Sequence, residues 1–149
     1  MIKLIFAIVI MFALNLSSAA FSQERGKVQT KTLQEIFDEF TENRREAWRV
    51  YEGDIWTVIT DAVIVEVKDI SYEKFYITLA PLTSDGKPNM SGLTAYGIVR
   101  AVTPEQMRLS LSYKPGDTPV FAAKYNSQLF SDSLLFQLVD TAASDNPLE

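Results

Sequence analysis

The stretch Leu93-Thr94-Ala95-Tyr96-Gly97-Ile98-Val99-Arg100-Ala101-Val102-Thr103-Pro104-Glu105-Gln106-Met107-Arg108-Leu109-Ser110-Leu111-Ser112-Tyr113-Lys114 decides how this chain is folded. Residues 93–102 and 106–114 alternate in polarity as strands do, and Thr103-Pro104-Glu105 reads as the corner between them. Pairing Val102 with Met107 sets Arg100 opposite Leu109, Ile98 opposite Leu111 and Tyr96 opposite Tyr113. One face then carries Tyr96, Ile98, Arg100 and Val102 against Met107, Leu109, Leu111 and Tyr113. The other carries Ala95, Gly97, Val99 and Ala101 against Arg108, Ser110, Ser112 and Lys114. The first is the expected core side, with Arg100 as its single charge.

More strands are expected on either side of this hairpin. Residues 55–59 and 62–67 are rich in β-branched side chains, with Asp61 marking a bulge or bend between them. Residues 72–80 alternate Phe75, Ile77 and Leu79 with Tyr76 and Thr78. The segment 81–92 contains Ser84-Asp85-Gly86-Lys87-Pro88-Asn89, the clearest loop signal in the chain. Pro115-Gly116-Asp117 turns into a strand over 120–125. Residues 131–141 fit a strand or a helix, and the alternation of Leu134, Phe136 and Leu138 favours a strand. Ahead of all these, Thr32 and Glu35 form a capping-box pattern. Leu33, Ile36, Phe37, Phe40, Ala47 and Trp48 recur at helical spacing. They predict one amphipathic helix over 33–48.

The expected fold is therefore α+β: one N-terminal amphipathic helix followed by a strongly twisted antiparallel meander of about six strands. Such a sheet can close into a small barrel or stay open and wrap around the helix. The first outline resembles a lipocalin-type barrel, although the lipocalin Gly-x-Trp start is missing. The second resembles a nuclear-transport-factor-2-type cone on the residues Ala47-Trp48, Gly53-Asp54 and Asp61-Ala62-Val63, which leave the helix in a similar way.

The N-terminus predicts a compartment. Lys3 precedes the apolar run 4–16, and Ser17, Ser18, Ala19 and Ala20 follow, the order of a secretory signal peptide. The run is too short for a span of roughly 20 residues. Residues 1–20 are thus expected to be removed, with cleavage after Ala20 or after Ser22. The organisation then reads as a flexible leader over 21–31, a single globular domain over 32–141 and a frayed tail over 142–149. The mature chain is expected in the periplasm or secreted, soluble and without a membrane span.

Composition narrows the chemistry. The chain has 149 residues, no His, no Cys and a net charge of −5. No disulfide and no diacylglyceryl-cysteine anchor can form. A triad, a Cys–His pair and His-ligated metals are excluded, so catalysis would fall to carboxylates, Tyr, Lys or Arg. No basic footprint marks a nucleic-acid partner. No cofactor or metal is implied.

Arg100, turned inward, is the candidate anion receptor, with Tyr96, Tyr113 and Tyr125 lining an apolar pocket around it. The same geometry also allows Arg100 to snorkel out, or to pair with Asp61 or Glu66 as a structural bridge. The carboxylates Glu35, Asp38, Glu39 and Glu42 share one helical face, which cannot wrap an ion. Asp61 and Glu66 are a candidate carboxylate pair. The segment Ser91-Gly92-Leu93-Thr94-Ala95-Tyr96 is similar to the Ser-Gly-x-x-Tyr element of periplasmic lysozyme inhibitors. Here the tyrosine comes one residue late, no Thr-Lys-Gly stretch accompanies it, and no role is carried over. The leading expectation is an exported, non-catalytic binding protein for an amphipathic or anionic small molecule. The alternatives are a periplasmic interaction or inhibitor module acting through the 81–92 loop, and a His-free cone-type enzyme using Asp61 and tyrosines.

Overall fold

The computed structural model describes residues 28–53, 55–71, 74–130 and 132–143. The elements run β1 (Val28–Thr32), α1 (Leu33–Glu42), α2 (Arg44–Tyr51), β2 (Trp56–Thr60), β3 (Ala62–Ser71), β4 (Lys74–Pro81), β5 (Thr94–Arg100), α3 (Pro104–Ser112), β6 (Phe121–Phe130) and β7 (Ser133–Asp140). The strands form one sheet in the order β1-β2-β6-β7-β5-β4-β3. β1 lies parallel to β2, and β5 parallel to β7; the other neighbours are antiparallel. The expected meander is thus corrected to a seven-stranded mixed sheet, and the lipocalin-like barrel falls because the sheet does not close. The single-helix cone falls with it, since three short helices are present. A parallel pair needs a crossover of a dozen or more residues. The chain between β5 and β7 supplies one, and it contains α3 and β6.

The sheet is rolled. The row Trp56, Lys124, Gln137, Ile98, Tyr76, Lys68 crosses five ladders and returns to the stretch of chain on which it began. In a flat sheet β2 and β3 would stand about 24 Å apart, five spacings of about 4.8 Å. Only Asp61 separates them in sequence, which holds Thr60 and Ala62 within about 7 Å. Asp61 makes this corner with φ 51°, a left-handed conformation that its short polar side chain tolerates. Its carbonyl accepts a hydrogen bond from the Leu82 N–H at 2.8 Å.

The helices cover one face of the roll. Leu33, Ile36, Phe37 and Phe40 of α1 and Ala47 and Tyr51 of α2 join Ile59, Phe121, Phe136 and Leu138 in one apolar cluster. Each such large side chain contributes roughly 1.5–3 kcal/mol by leaving water. The capping box at Thr32 forms: the Glu35 N–H donates to the Thr32 hydroxyl at 3.1 Å, and the Thr32 N–H to the Glu35 carboxylate at 2.7 Å. The expected single helix is two, divided at Asn43. Its N–H closes α1 on the Glu39 carbonyl, and its side chain caps α2 by accepting the Glu46 N–H at 3.3 Å.

The opening stretch is the largest correction. Residues 104–112 form α3, where a strand was expected. Thr103 is its N-cap, Pro104 occupies the first turn, and Gln106 completes a capping box. Proline in the first turn and a reciprocal cap both favour a helix start. The faces of β5 are reversed as well. Ala95, Gly97 and Val99 are buried, whereas Arg100 is exposed. Leu111, assigned to the core, is 67 % exposed, and Ser110, assigned to solvent, is 2 % exposed. The small face of β5 turns inward because β7 fills the space. A Cβ on Gly97 would lie 2.1 Å from Cδ1 of Leu138.

Two boundary expectations are also corrected. Residues 28–31 of the expected flexible leader belong to β1, which pairs Val28 with Trp56 through to Thr32 with Thr60. Ala142 and Ala143 of the expected frayed tail are held in a turn on Asp140, and Ala143 is buried. The expected signal peptide, the leader residues 21–27 and the tail residues 144–149 lie outside the described residues. Residues 133–140 are strand, as their alternation indicated.

Candidate functional site

The face of the sheet away from α1 and α2 carries the polar side chains. Residues paired across a ladder point to the same side. Starting from the exposed Arg100, this side presents Lys74 and Tyr76 of β4, Tyr96 and Ile98 of β5, Gln137 and Val139 of β7, Lys124 and Asn126 of β6, and Trp56 of β2. Two cavities open on it. One, of about 340 Å³, is lined by Lys74, Ile98, Arg100, Val102, Asn126 and Gln137. The other, of about 300 Å³, shares Arg100, Val102 and Gln137 and adds Trp56, Thr103, Gln106 and Val139. Together they form one groove with a polar end at Lys74, Arg100 and Asn126 and an apolar end at Trp56 and Val139. The α3 capping box positions the apolar end, since the Gln106 carboxamide oxygen accepts the backbone N–H groups of Val102 and Thr103.

Lys74 and Arg100 are directly paired across the β4–β5 ladder. Like charges in that position destabilise a sheet. Among the described residues neither side chain has an ion pair; Lys68 on the neighbouring strand pairs with Glu66 at 3.4 Å. Among the described residues this face carries Lys68, Lys74, Arg100 and Lys124 against Glu66, in a chain whose net charge is −5. Such a local cationic field raises the concentration of anions at the groove.

The expected site residues are not brought together. Arg100 lines the groove, on the opposite face from the one expected. Tyr96 shares that face but lies away from the cavities, its ring stacked on Tyr76 at 5.4 Å and 21°. Burial, the Tyr96 hydroxyl and the Glu66 carboxylate, in that order, raise the pKa of Tyr76. Tyr113 is on the covered side, edge-on to Phe121 and donating its hydroxyl to Asp140 Oδ2 at 2.5 Å. Burial first, then that carboxylate, pushes its pKa well above the ordinary range. Tyr125 packs between Phe40 and Phe136, with centroids at 5.5 and 5.9 Å. Its hydroxyl is buried with no hydrogen-bond partner among the described residues. Burial raises its pKa and the Arg44 charge opposes the shift. Tyr113 and Tyr125 serve the core.

The remaining expectations are dispersed. Asp61 stands at the β2–β3 corner and Glu66 is engaged by Lys68. Glu39 turns away from Glu35, Asp38 and Glu42 to hold the Lys31 ammonium and the Tyr51 hydroxyl. Burial and that carboxylate raise the pKa of Tyr51. The 81–92 loop is held by its own hydrogen bonds, Thr83 N–H to Lys87 carbonyl and Asn89 N–H to Pro81 carbonyl. Asn89 Nδ2 also donates to Gln34 of α1 at 3.2 Å. Ser91 is tied to Asn89 and Tyr96 to Tyr76, so the inhibitor-like residues do not share a site. Among the described residues no helix is long and apolar enough to cross a membrane, and no group of potential ligands could hold a metal.

Sequence reasoning missed Lys74, Asn126, Gln137 and Trp56. A signal for the first was present. Pairing 72–80 with 93–102 across the 81–92 loop, instead of 93–102 with 106–114, places Lys74 beside Arg100. No known family, characterised protein or solved structure matches this chain.

Proposed function

We propose that the protein is an exported, non-catalytic binding protein that takes an amphipathic anion in the groove between Lys74 and Trp56. The observation that carries this reading is the Lys74–Arg100 cross-strand pair, two like charges without counter-ions among the described residues at one end of an apolar-walled cavity. The anionic head sits between these two side chains, with Asn126 and Gln137 as neutral donors. The tail follows Val102 and Val139 towards Trp56. Arg100 keeps the anion-receiving role expected of it. Export rests on Lys3, the apolar run 4–16 and the small residues before Phe21.

Calorimetric titration of the mature chain with decanoate, decyl phosphate and decanol tests the reading. At least one anion is expected to bind one to one, about tenfold or more tighter than the alcohol. The double variant Lys74→Gln, Arg100→Gln is expected to keep its fold and lose that preference. Equal binding of alcohol and both anions, or a double variant that discriminates as before, refutes it.

A further inference from the structure

The charge pair also discriminates between head groups. Lys74 and Arg100 face each other across one ladder position, so their Cα atoms are about 5 Å apart. A monoanion between them neutralises one cation and leaves the other uncompensated. A dianion neutralises both. The guanidinium fork fits two oxygens of a tetrahedral head group, and the ammonium takes a third as a point charge. Asn126 and Gln137 line the same cavity, and their carboxamides can donate to the same head without adding charge. Among the described residues no carboxylate lines either half of the groove, so none of these lining groups opposes a second negative charge. Resting on the reading above, we infer that the groove selects a phosphate monoester in its dianionic form, carried on an apolar tail.

The composition makes this testable by pH. The chain has no His and no Cys. Among the described residues the charged groups on this face are Glu66 and Lys68 of β3, Lys74 of β4, Arg100 of β5 and Lys124 of β6, with Tyr76 and Tyr96 also on it. α3, packed beside them, brings Glu105 and Arg108. Ordinary carboxylates titrate below pH 5, and ordinary lysines, arginines and tyrosines above pH 7. A phosphate monoester gains its second charge near pH 6. Between pH 5 and 7 the phosphate monoester therefore changes charge, in a chain that has no His.

The probes are decyl phosphate, decyl methyl phosphate and inorganic phosphate, titrated calorimetrically into the mature chain. At pH 7 the monoester is expected to bind about tenfold tighter than the singly charged diester. At pH 5 the two are expected to converge. Lys74→Gln should bring the monoester down to the diester's affinity at pH 7 while the diester changes little, with thermal melts verifying the fold. Equal affinities of monoester and diester at pH 7 overturn the inference and leave the amphiphile reading standing. Inorganic phosphate binding as tightly as decyl phosphate overturns the tail, marking a site for the free ion. Binding by neither amphiphile overturns both.

Discussion

Replacing Gly97 by alanine tests the pairing on which the corrected fold rests. The added Cβ would lie 2.1 Å from Cδ1 and 2.8 Å from Cγ of Leu138, and 3.4 Å from Cγ1 of Ile77. Both neighbours are fully buried, so Leu138 cannot swing into solvent to make room. Overpacking of this kind costs about 1–3 kcal/mol. The lost freedom of the unfolded chain returns about 0.4–1 kcal/mol. A net loss on the order of 1–2 kcal/mol is expected, seen as a Tm drop on the order of 5 °C for a domain of this size. Leu138→Ala alone should cost about 2–5 kcal/mol. In the double variant the new methyl occupies part of the space Leu138 vacates. The two costs should therefore fall short of additive by about 1 kcal/mol or more. Urea unfolding at constant m-value measures all four states of the cycle. Had β5 paired with 106–114, Gly97 would face solvent, and alanine there would be neutral or slightly stabilising. A neutral Gly97→Ala, or a cycle that closes additively, would refute the parallel β5–β7 pairing.

Three other outcomes are expected. Thr103→Ala removes the N-cap of α3 and should cost about 1 kcal/mol in urea unfolding, with a matching loosening of the Val102–Thr103 wall detectable by amide hydrogen exchange. Lys74→Gln should leave stability unchanged or raise it by about 0.2–1 kcal/mol, because it relieves the repulsion with Arg100; a clear loss would mean that Lys74 is a structural partner. Tyr51, Tyr113 and Tyr125 have pKa values raised above the ordinary 10.0. A raised value means that the folded state holds its proton longer, so their contribution is complete below pH 10 and declines as the solution becomes more alkaline. Thermal melts should therefore show alkaline destabilisation above pH 10, reduced in Tyr113→Phe relative to its own stability at pH 8; a variant with an undiminished alkaline slope would contradict this.

The parts of the fold legible in the sequence were those set by one local signal without a rival. Thr32 and Glu35 capped a helix whose apolar face had a single reading. Asp61 marked the corner of β2 and β3, and the loop at 81–92 was spelled out by its Gly, Pro and Asn residues. The misreading of 104–112 came from weighing Met107, Leu109, Leu111 and Tyr113 as an alternating series while passing over Thr103-Pro104-Glu105-Gln106, which specifies a helix start. The reversed face of β5 has a different origin. Tyr96 and Ile98 are larger than Ala95 and Gly97, yet it is the small residues that are buried. The interior was already filled by Phe136 and Leu138 from a strand 39 residues further along, which no local pattern records. Arg100 stood out as an anomaly, and its partner Lys74 was hidden for the same reason: the two meet only when β4 and β5 are in register.

β7 is the last strand described and the middle one of seven. It is the keystone of an arch whose other stones are laid first. β3, β4 and β5 lie on one side of it, β1, β2 and β6 on the other, and among the described residues the strand ladders of the two halves meet through it. Synthesis delivers this keystone after the other six described strands. Until it arrives, β5 and β6 each expose an unpaired inner margin, the kind of edge that recruits foreign strands. The sheet of the described residues therefore cannot be completed until β7 has been made.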